Sequence, residues 1–459
     1  MSTWPCETPT TAAVMAARWV RSAAVDDALG RHWLANPDPR GRSAGAGSTS
    51  SLYAGAAGVV LFFLEAAAAT GDRTYLDDAL AGARRLAATW REQRDPTFYH
   101  GRAGMLFAMA ETGWATGDEE VHEAAHAVAD GLVRDVRRFD DGAGWTGDPA
   151  LRGDGGIVLA LLHASGLLGV SAYEEVAVEA GGRVAALAVP GHRFGGNAFP
   201  DLPVDAVTPG FLSGTAGAAF LLARLHGVTR DARFLTAARR GADFVRTVSV
   251  VTDRCARVPH HLPQGRRLHY LGFCSGAAGV ARMFHELHRV TGDPGDLDWV
   301  ERLAHGIVQS GLPEHTPPGH WDVACLCCGT AGLLELFTGL YAATGREPYL
   351  AFARTLAADL IGRAAGDEED GFRWYQAYRR LRPEEFTADT GYMVGAAGIG
   401  TALLHLAATE DAARDAASGT TGGSAEYSAG GGPRRLILLP DNPFPAIPVP
   451  AAVLREGDA

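Results

Sequence analysis

The sequence predicts an all-α fold, an α/α toroid of seven helical hairpin repeats with about seven inner and seven outer helices. Three observations predict it: an internal repeat along the whole chain, a nearly all-apolar stretch that opens each repeat, and an amphipathic stretch that follows it. A Gly-x-x-Gly segment marks each repeat, and successive copies begin 46 to 66 residues apart. The seven copies begin at Gly55, Gly101, Gly153, Gly214, Gly276, Gly329 and Gly395.

The first element of each repeat is a stretch of about 12 to 15 almost entirely apolar residues, such as "GVVLFFLEAA" from Gly58. A helix that is apolar on all sides belongs in a protein interior. The second element follows a turn that often reads "TGD", and it has apolar residues at helical spacing with charged residues between them, as in residues 73–90. The turn glycine is typical of a helix C-terminus. Each repeat is therefore predicted to be a hairpin of one buried and one half-exposed helix.

Seven such hairpins can stack as an open solenoid or close into a ring. An open solenoid needs polar capping repeats at its two ends. The apolar first helices are too hydrophobic for that arrangement, so closure into a toroid is favoured. In a closed ring the seven Gly-x-x-Gly segments lie at one end of the barrel, which we call the mouth, together with the positive ends of the inner helix dipoles. Repeats five and six are then neighbours.

The toroid is predicted to span residues 51–445. Residues 1–50 are expected to form an N-terminal helix and a flexible lead-in, and residues 446–459 a Pro-rich tail. A Gly/Ser/Ala-rich stretch at 416–435 has the composition of a mobile loop. We expect the apolar, Pro-rich "LILLPDNPFPAIPVP" after it to pack along the outside of the ring as an extended tail.

Composition excludes several classes of partner. The 459 residues carry a formal charge of −12, which argues against nucleic acid or an anionic membrane. No run approaches the roughly 18 to 20 apolar residues of a membrane span, and the N-terminus lacks the pattern of a signal peptide. Six cysteines in a chain of this length do not make a disulfide scaffold. We therefore expect a cytoplasmic protein.

Three cysteines occupy matching places in neighbouring repeats. Cys274 lies two residues before Gly276, and Cys327 and Cys328 lie two residues and one residue before Gly329. Three thiolates from two adjacent loops can hold Zn²⁺ with a fourth position open, which is the pattern of catalytic zinc. The alternative is that these residues are small buried hydrophobes. An adjacent pair plus a third cysteine at the equivalent position favours the metal.

The other three cysteines receive different interpretations. Cys325 lies outside the matched positions and is interpreted as an accessory thiol. Cys6 and Cys255 have no cysteine nearby in the sequence, and no role is expected for them.

The repeats, together with "GFCSGAAG" and "CCGTAG", resemble the lanthionine synthetase C family, and in particular its bacterial stand-alone LanC-like branch. The resemblance covers about residues 50 to 445. It implies a toroid of seven plus seven helices, zinc as cofactor, and Cys274, Cys327 and Cys328 as its ligands. It also implies a reaction in which a peptide cysteine thiol adds to a dehydroalanine or dehydrobutyrine.

The chain departs from the family pattern at the groups that would move protons. Ser213 stands where the family commonly has a histidine before the repeat-four Gly-x-x-Gly, and Tyr270 stands in place of an arginine. The usual aspartate of repeat three is Pro149, with Asp148 one residue away.

Replacement candidates for these groups lie near the predicted mouth. They are His100, at the offset in repeat two that the family histidine has in repeat four, and His269, Tyr270 and Asp148. A histidine at such a place is also common as a hydrogen-bonded structural residue. The adjacent pair Arg266 and Arg267 could offset the negative charge of three thiolates, or could be an ordinary solvated pair.

The favoured interpretation is a zinc-dependent cyclase acting on a dehydrated precursor peptide, with a separate dehydratase or kinase/lyase enzyme supplying the dehydro residues. A second is a LanC-like zinc protein that binds a modified peptide or partner enzyme as a scaffold without turnover. A third, an α/α-toroid glycoside hydrolase, requires paired carboxylates at the mouth. Repeat three offers only Asp148 and Asp154 for that role.

Overall fold

The computed structural model describes most of the chain, and the predicted flexible segments fall largely outside the described residues. The residues described are 8–38, 49–187, 202, 206–315, 320–321, 323–377, 382–417 and 435–449. Within them the inner helices are α2 (Ala56–Thr70), α4 (Arg102–Thr116), α6 (Asp154–Leu168), α8 (Thr215–Thr229), α10 (Ala277–Thr291), α12 (Thr330–Thr344) and α14 (Ala396–Ala417). The outer helices are α1 (Pro9–Ser22), α3 (Arg73–Thr89), α5 (Glu119–Arg134), α7 (Ser171–Ala186), α9 (Ala232–Val248), α11 (Pro294–Val308) and α13 (Glu347–Gly362).

Short elements fill the connections between repeats. One 3₁₀ helix spans Trp90–Glu92, and the described strands form two-stranded ribbons. Antiparallel ribbons pair β1 (Ala24–Asp27) with β2 (Gly30–Trp33), β3 (Arg137–Phe139) with β4 (Gly142–Gly144), β5 (Val250–Thr252) with β6 (Cys255–Arg257), β9 (Ala365–Asp367) with β10 (Gly371–Arg373) and β11 (Gln376–Ala377) with β12 (Phe386–Thr387). One parallel ribbon pairs β7 (His269–Tyr270) with β8 (His320–Trp321).

Three helical hairpins turn through a "TGD" motif, at residues 70–72, 116–118 and 291–293, and the first repeat shows how. The Thr70 hydroxyl donates to the carbonyl of Ala66 at 2.6 Å, and Gly71 ends α2 in the left-handed conformation with φ 74°. A left-handed residue at this place is strained for any residue with a Cβ, so glycine is favoured. The Asp72 carboxylate then accepts from the amide of Thr74 at 2.9 Å and caps α3. Three residues therefore end one helix and start the next.

The ring is closed by hydrogen bonds between neighbouring repeats. The residue two positions before the first glycine makes a backbone bond at this level in six repeats, and in repeat three the bond is made by Arg152, one position before Gly153. The bonds run Tyr53 N to Tyr99 O, Arg152 N to Leu212 O, Leu212 N to Cys274 O, Cys274 N to Cys327 O, Cys327 N to Met393 O and Met393 N to Tyr53 O, at 2.8 to 3.0 Å. The last of these joins repeat seven to repeat one. The Gly-x-x-Gly segments therefore surround one mouth, and the predicted α/α toroid is confirmed.

The second glycine of each segment allows the inner helices to approach closely. A Cβ on Gly279 would lie 2.0 Å from the carbonyl oxygen of Phe273 and 2.4 Å from the Cβ of Phe211 in the preceding repeat. Neither distance is tolerable, so only glycine fits between these neighbours.

The N-terminal helix completes the outer layer. Helix α1 packs against α14, so it occupies the place of the seventh outer helix. Its buried stripe includes Ala12, Ala16, Trp19 and Val20. The division of the chain at residues 50 and 445 stays a prediction, although packing contacts cross the first of these positions.

The expected external position of the C-terminal tail is wrong. Residues 435–449, here called the C-terminal segment, lie against the inner helices, and Leu436, Asp441 and Phe444 are buried. The backbone amide of Ile437 donates to Glu65 of α2. Phe444 packs where α12 has Gly339, because a Cβ there would lie 2.2 Å from the Phe444 ring. The apolar surface of the segment is thus satisfied inside the barrel, which an outside position would leave exposed to water.

The interior contains a layer of charged side chains at one helical level. The tenth residue of six inner helices is polar, and these residues form pairs between neighbouring repeats. The pairs are Glu111 with His163 at 2.9 Å, Arg224 with Glu286 at 2.9 Å, and Glu65 with His405 at 3.2 Å. The C-terminal segment covers this layer, since Arg435 reaches Glu111 and the carbonyl of Asn442 accepts from Arg224. Pairing offsets part of the cost of burying these charges.

None of the helices among the described residues has both the length and the apolar composition needed to cross a bilayer.

Candidate metal centre and active site

The three cysteines singled out in the sequence lie together at the mouth. The ligand atoms of Cys274, Cys327 and Cys328 all lie within 4.8 Å of one another, and the sulfurs of Cys274 and Cys328 are 3.5 Å apart. Cys274 and Cys327 are buried, while Cys328 is half-buried. Two of the three cysteines are therefore enclosed by protein, and Cys328 keeps some exposure to solvent.

The donor set fits zinc. Zinc binds thiolates at about 2.3 Å in tetrahedral geometry, which places two sulfurs about 3.8 Å apart. The 3.5 Å between the sulfurs of Cys274 and Cys328 is close to that value, and all three sulfurs lie within 4.8 Å of one another. The cysteines also precede the N-termini of α10 and α12, where the helix dipole favours a thiolate. Three protein sulfurs leave a fourth position for a substrate sulfur.

Hydrogen bonds link the thiols of the cluster. Hydrogen bonds from Cys327 and Cys328 lower the pKa of Cys274 well below its usual range, and the charge of His260 acts in the same direction. The contact with Cys274 raises the pKa of Cys327 and of Cys328 well above theirs. The cluster can thus hold one thiolate that accepts from two thiols.

Two features hold the cysteine loop of repeat six in place. The buried Gln376 side chain accepts from the backbone amides of Ala324 and Cys325, both at 3.0 Å, and donates to the carbonyl of Val394 at 2.5 Å. It therefore ties repeat six to repeat seven. On the other side, a Cβ on Gly272 would lie 2.4 Å from the backbone carbonyl of Cys328, so this glycine lets the loops of repeats five and six meet.

His100 lies at the mouth, one aromatic ring away from the cluster. Its ring centroid is 4.9 Å from that of Tyr53, and the Tyr53 hydroxyl donates to the sulfur of Cys327 at 3.1 Å. Surrounding protein desolvates the imidazole and lowers the pKa of His100, although Asp95 acts in the opposite direction. Its exposed edge faces solvent.

His269 and Tyr270 form the half-buried strand β7, and the structure adds a histidine that the sequence did not single out. His260 is buried, its ring lies 4.4 Å from that of Tyr270, and its Nδ1 lies 2.9 Å from Nδ1 of His261. His260 was missed because it is 14 residues from Cys274 in the chain. The signal that could have found it is the histidine pair in "VPHHLPQGRRLHYLGFC".

The remaining sequence candidates have other neighbours. Asp148 pairs with Arg152 at 2.8 Å, and the Asp154 carboxylate accepts from the backbone amides of Trp145 and Thr146. Asp154 therefore supports the loop before α6. Asp148 and Asp154 therefore do not form a pair of free carboxylates that could cleave a glycoside.

Ser213 follows Leu212, whose amide donates to the carbonyl of Cys274, so it lies in the ring beside repeat five. Arg266 and Arg267 are both exposed.

Cys325 is fully buried directly behind the cluster, and its thiol contacts that of Cys328. Because it lies outside the set of three mutually close sulfurs, Cys325→Ala should keep about one zinc per chain. Elemental analysis of protein purified without added metal measures this. A fall below half an equivalent would mean that Cys325 is itself a ligand.

Comparisons with known proteins agree with this architecture. The family model described as "Lanthionine synthetase C-like protein" matches residues 48–417. Among solved structures, the chain is similar to "Nisin cyclase", with 14% identity, 78% of this chain and 88% of that chain covered, and a TM-score of 0.60. Among curated proteins, the sequence has no significant match.

Two further structures are similar at lower scores. The Lin0763 protein from Listeria innocua has 16% identity, covers 88% of this chain and 98% of its own, and has a TM-score of 0.48. An α-1,6-mannanase variant of Salegentibacter has 12% identity, covers 88% and 99%, and has a TM-score of 0.46. At identities this low, structural similarity indicates a shared fold only. TM-scores of 0.48 and 0.46 are too low to support a conclusion.

Proposed function

Because the chain belongs to the lanthionine synthetase C-like family, we propose that it is a zinc-dependent cyclase that forms thioether, lanthionine-type bonds in a ribosomally made peptide. A peptide cysteine thiol adds across the double bond of dehydroalanine or dehydrobutyrine. The sulfur bonds to the β-carbon, the thiol loses its proton, and the α-carbon gains one. The addition therefore needs no oxidant or reductant. The observation that carries the proposal is the cluster of three thiols at the mouth of the toroid.

In this proposal Cys274, Cys327 and Cys328 hold the ion. When bound, zinc stabilises a substrate thiolate at neutral pH. The chain's own residues do the rest: Gln376 and Gly272 hold the ligand loops at fixed separation, and the half-buried Cys328 faces the side from which a peptide can approach. A group at the mouth must then protonate the enolate carbon.

The proposal extends to partners and location. The substrate is a dehydrated precursor peptide, and a separate dehydratase or kinase/lyase enzyme makes its dehydro residues. We propose the cytoplasm as the site of action, because three adjacent free thiols stay reduced there.

The direct test supplies the zinc-loaded protein with a dehydrated, cysteine-containing peptide. Loss of free thiol without change of mass measures the addition, since the reaction is an isomerisation. No thioether above the uncatalysed background would overturn the cyclase proposal. A peptide that binds without reacting would then favour the scaffold function, for which Ser213 in place of the family histidine is the supporting observation.

The proton donor can be assigned by single substitutions. General acid catalysis contributes about 10²- to 10⁴-fold, so removing the donor should slow cyclisation at least tenfold. The variants are His100→Ala, His269→Ala, Tyr270→Phe and His260→Ala, measured with zinc content held equal. Because burial lowers the pKa of His100, a rate that depends on protonated His100 should rise as pH falls below 6.5, the ordinary value for histidine.

The matched control for this series is His122→Ala, because His122 is an exposed histidine of the outer helix α5 and contacts His126. We expect that variant to keep its rate within a few-fold. If all four donor variants keep the full rate, solvent supplies the proton and none of these side chains is the acid.

A further inference from the structure

Two tyrosines occupy the places in repeats one and two that the metal-binding cysteines occupy in repeats five and six. Tyr53 and Tyr99 lie two residues before Gly55 and Gly101, as Cys327 lies two residues before Gly329. All belong to the same ring of backbone hydrogen bonds. The half-buried Tyr53 extends across the mouth, and its hydroxyl donates to the Cys327 sulfur at 3.1 Å.

Tyr53 is held in this orientation by Tyr99. The backbone amide of Tyr53 donates to the carbonyl of Tyr99 at 2.8 Å, and the two rings meet edge to face at 6.3 Å. On its other side the Tyr53 ring lies against His100. The ring is thus fixed between two residues of repeat two, which limits where its hydroxyl can point.

Tyr99 in turn is bound by the C-terminal segment. Tyr99 is fully buried, and its hydroxyl donates to the carboxylate of Asp441. Arg282 of α10 lies 3.4 Å from the same carboxylate. Burial raises the pKa of Tyr99 well above its usual range, so the phenol keeps the proton that it donates. A segment far from the cysteines in sequence therefore contacts the residue that supports Tyr53.

A hydrogen bond to a ligating sulfur changes the metal site. Three thiolates around a divalent ion leave one excess negative charge, and a fourth substrate thiolate would leave two. Arg266 and Arg267, which could have offset this charge, are exposed to solvent. A donor on the sulfur withdraws electron density from it and fixes its direction, and such outer partners are worth about 10- to 100-fold in metal affinity or activity.

We propose that Tyr53 is a positioning residue of the metal centre, whose hydroxyl orients Cys327 and offsets part of its charge, and that Asp441 holds it in place through Tyr99. The inference rests on the metal site of the proposed function but not on its reaction. The C-terminal segment then has two roles: it covers the charged layer of the barrel, and its Asp441 supports Tyr53 through Tyr99.

Cobalt binding tests this without any peptide. In the full-length protein loaded with Co²⁺, Tyr53→Phe should move the thiolate-to-cobalt charge-transfer band to longer wavelength, because a sulfur without the hydrogen bond gives up electron density more easily. Competition with a chelator should show zinc affinity lowered about 10- to 100-fold. Asp441→Asn should change the band position and the zinc affinity in the same directions as Tyr53→Phe, by smaller amounts.

The matched control is Tyr173→Phe, since Tyr173 is buried and donates to Asp130 at 2.9 Å between outer helices. It should leave the band and the affinity unchanged while altering stability as any lost buried hydrogen bond does. If Tyr53→Phe has the same charge-transfer band and zinc affinity as the Tyr173→Phe control, the inference is wrong, whatever the cyclase activity of the variant. A shifted band supports it even if no thioether forms.

If Tyr53→Phe moves the charge-transfer band and Asp441→Asn does not, the role assigned to the C-terminal segment is wrong. Wild-type protein that binds cobalt without a thiolate band overturns both the inference and the metal site.

Discussion

Replacing Cys328 with alanine should remove the metal and the thioether-forming activity together. Cys328 supplies one of three sulfurs that lie within 4.8 Å of one another, and it is the half-buried cysteine of the three. Loss of an outer partner of a ligand already costs up to about 100-fold in affinity, so loss of a ligand should cost more. We expect zinc content to fall from about one equivalent to near zero, and cyclisation to fall to the uncatalysed rate.

Cys255→Ala is the control for this experiment, because Cys255 is a buried cysteine in β6 outside the cluster. It should keep both metal and activity. Full zinc retention in the double variant Cys274→Ala/Cys328→Ala would contradict the assignment of the ligands. Zinc loss with unchanged cyclisation would instead separate the metal from the reaction.

The ring and the cysteine cluster were predictable because each depends on a local pattern that repeats. Seven Gly-x-x-Gly segments fix seven equivalent positions, so Cys274 and Cys327 could be placed side by side from their offsets alone. The outer helix of repeat seven was not assigned, because it comes from residues 9–22 at the other end of the chain. Ring closure brings α1 against α14, and no local signal near residue 417 indicates it.

The C-terminal segment shows where local reasoning fails. An apolar, Pro-rich stretch was expected outside the ring because it cannot form a helix. The missing signal was the tenth residue of each inner helix, where polar side chains interrupt otherwise apolar stretches and Gly339 alone is small. The polar residues at these positions form a buried charged layer that another part of the chain must shield from water. Gly339 leaves a gap in this layer, and Phe444 fills it. His260 was out of reach for a similar reason, since its approach to Cys274 depends on an irregular loop.

Replacing His405 with alanine should destabilise the protein more than any other single change within the charged layer. His405 is buried between two carboxylates, with Nδ1 at 2.7 Å from Glu335 and Nε2 at 3.2 Å from Glu65. Removing the cation leaves two buried acids without their partner, which costs about 3 to 5 kcal/mol in the free energy of unfolding. Urea unfolding followed by circular dichroism measures the loss.

His285→Ala provides the comparison. His285 is a buried histidine that packs against Phe444, and burial lowers its pKa to about 4, so it is neutral in the folded protein. Its replacement removes packing but no charge. Equal losses in the two variants would mean that the ion triad adds nothing beyond the volume of the ring.

The pH dependence separates charge from packing further. Burial alone would lower the pKa of His405, but Glu335 and Glu65 raise it to about 10 from an ordinary value of 6.5. A group whose pKa is raised on folding stabilises the folded state fully below its unfolded pKa, and that stabilisation is lost as pH rises through the folded pKa. The difference in unfolding free energy between wild type and His405→Ala should therefore be largest near pH 6 and should shrink toward pH 10. The difference for His285→Ala should be flat from about pH 8 to 10 and should become smaller toward pH 6, because the lowered pKa of His285 means that only the unfolded state takes up the proton there. The same slope, or a flat difference, for His405→Ala would show that His405 is not charged in the folded protein.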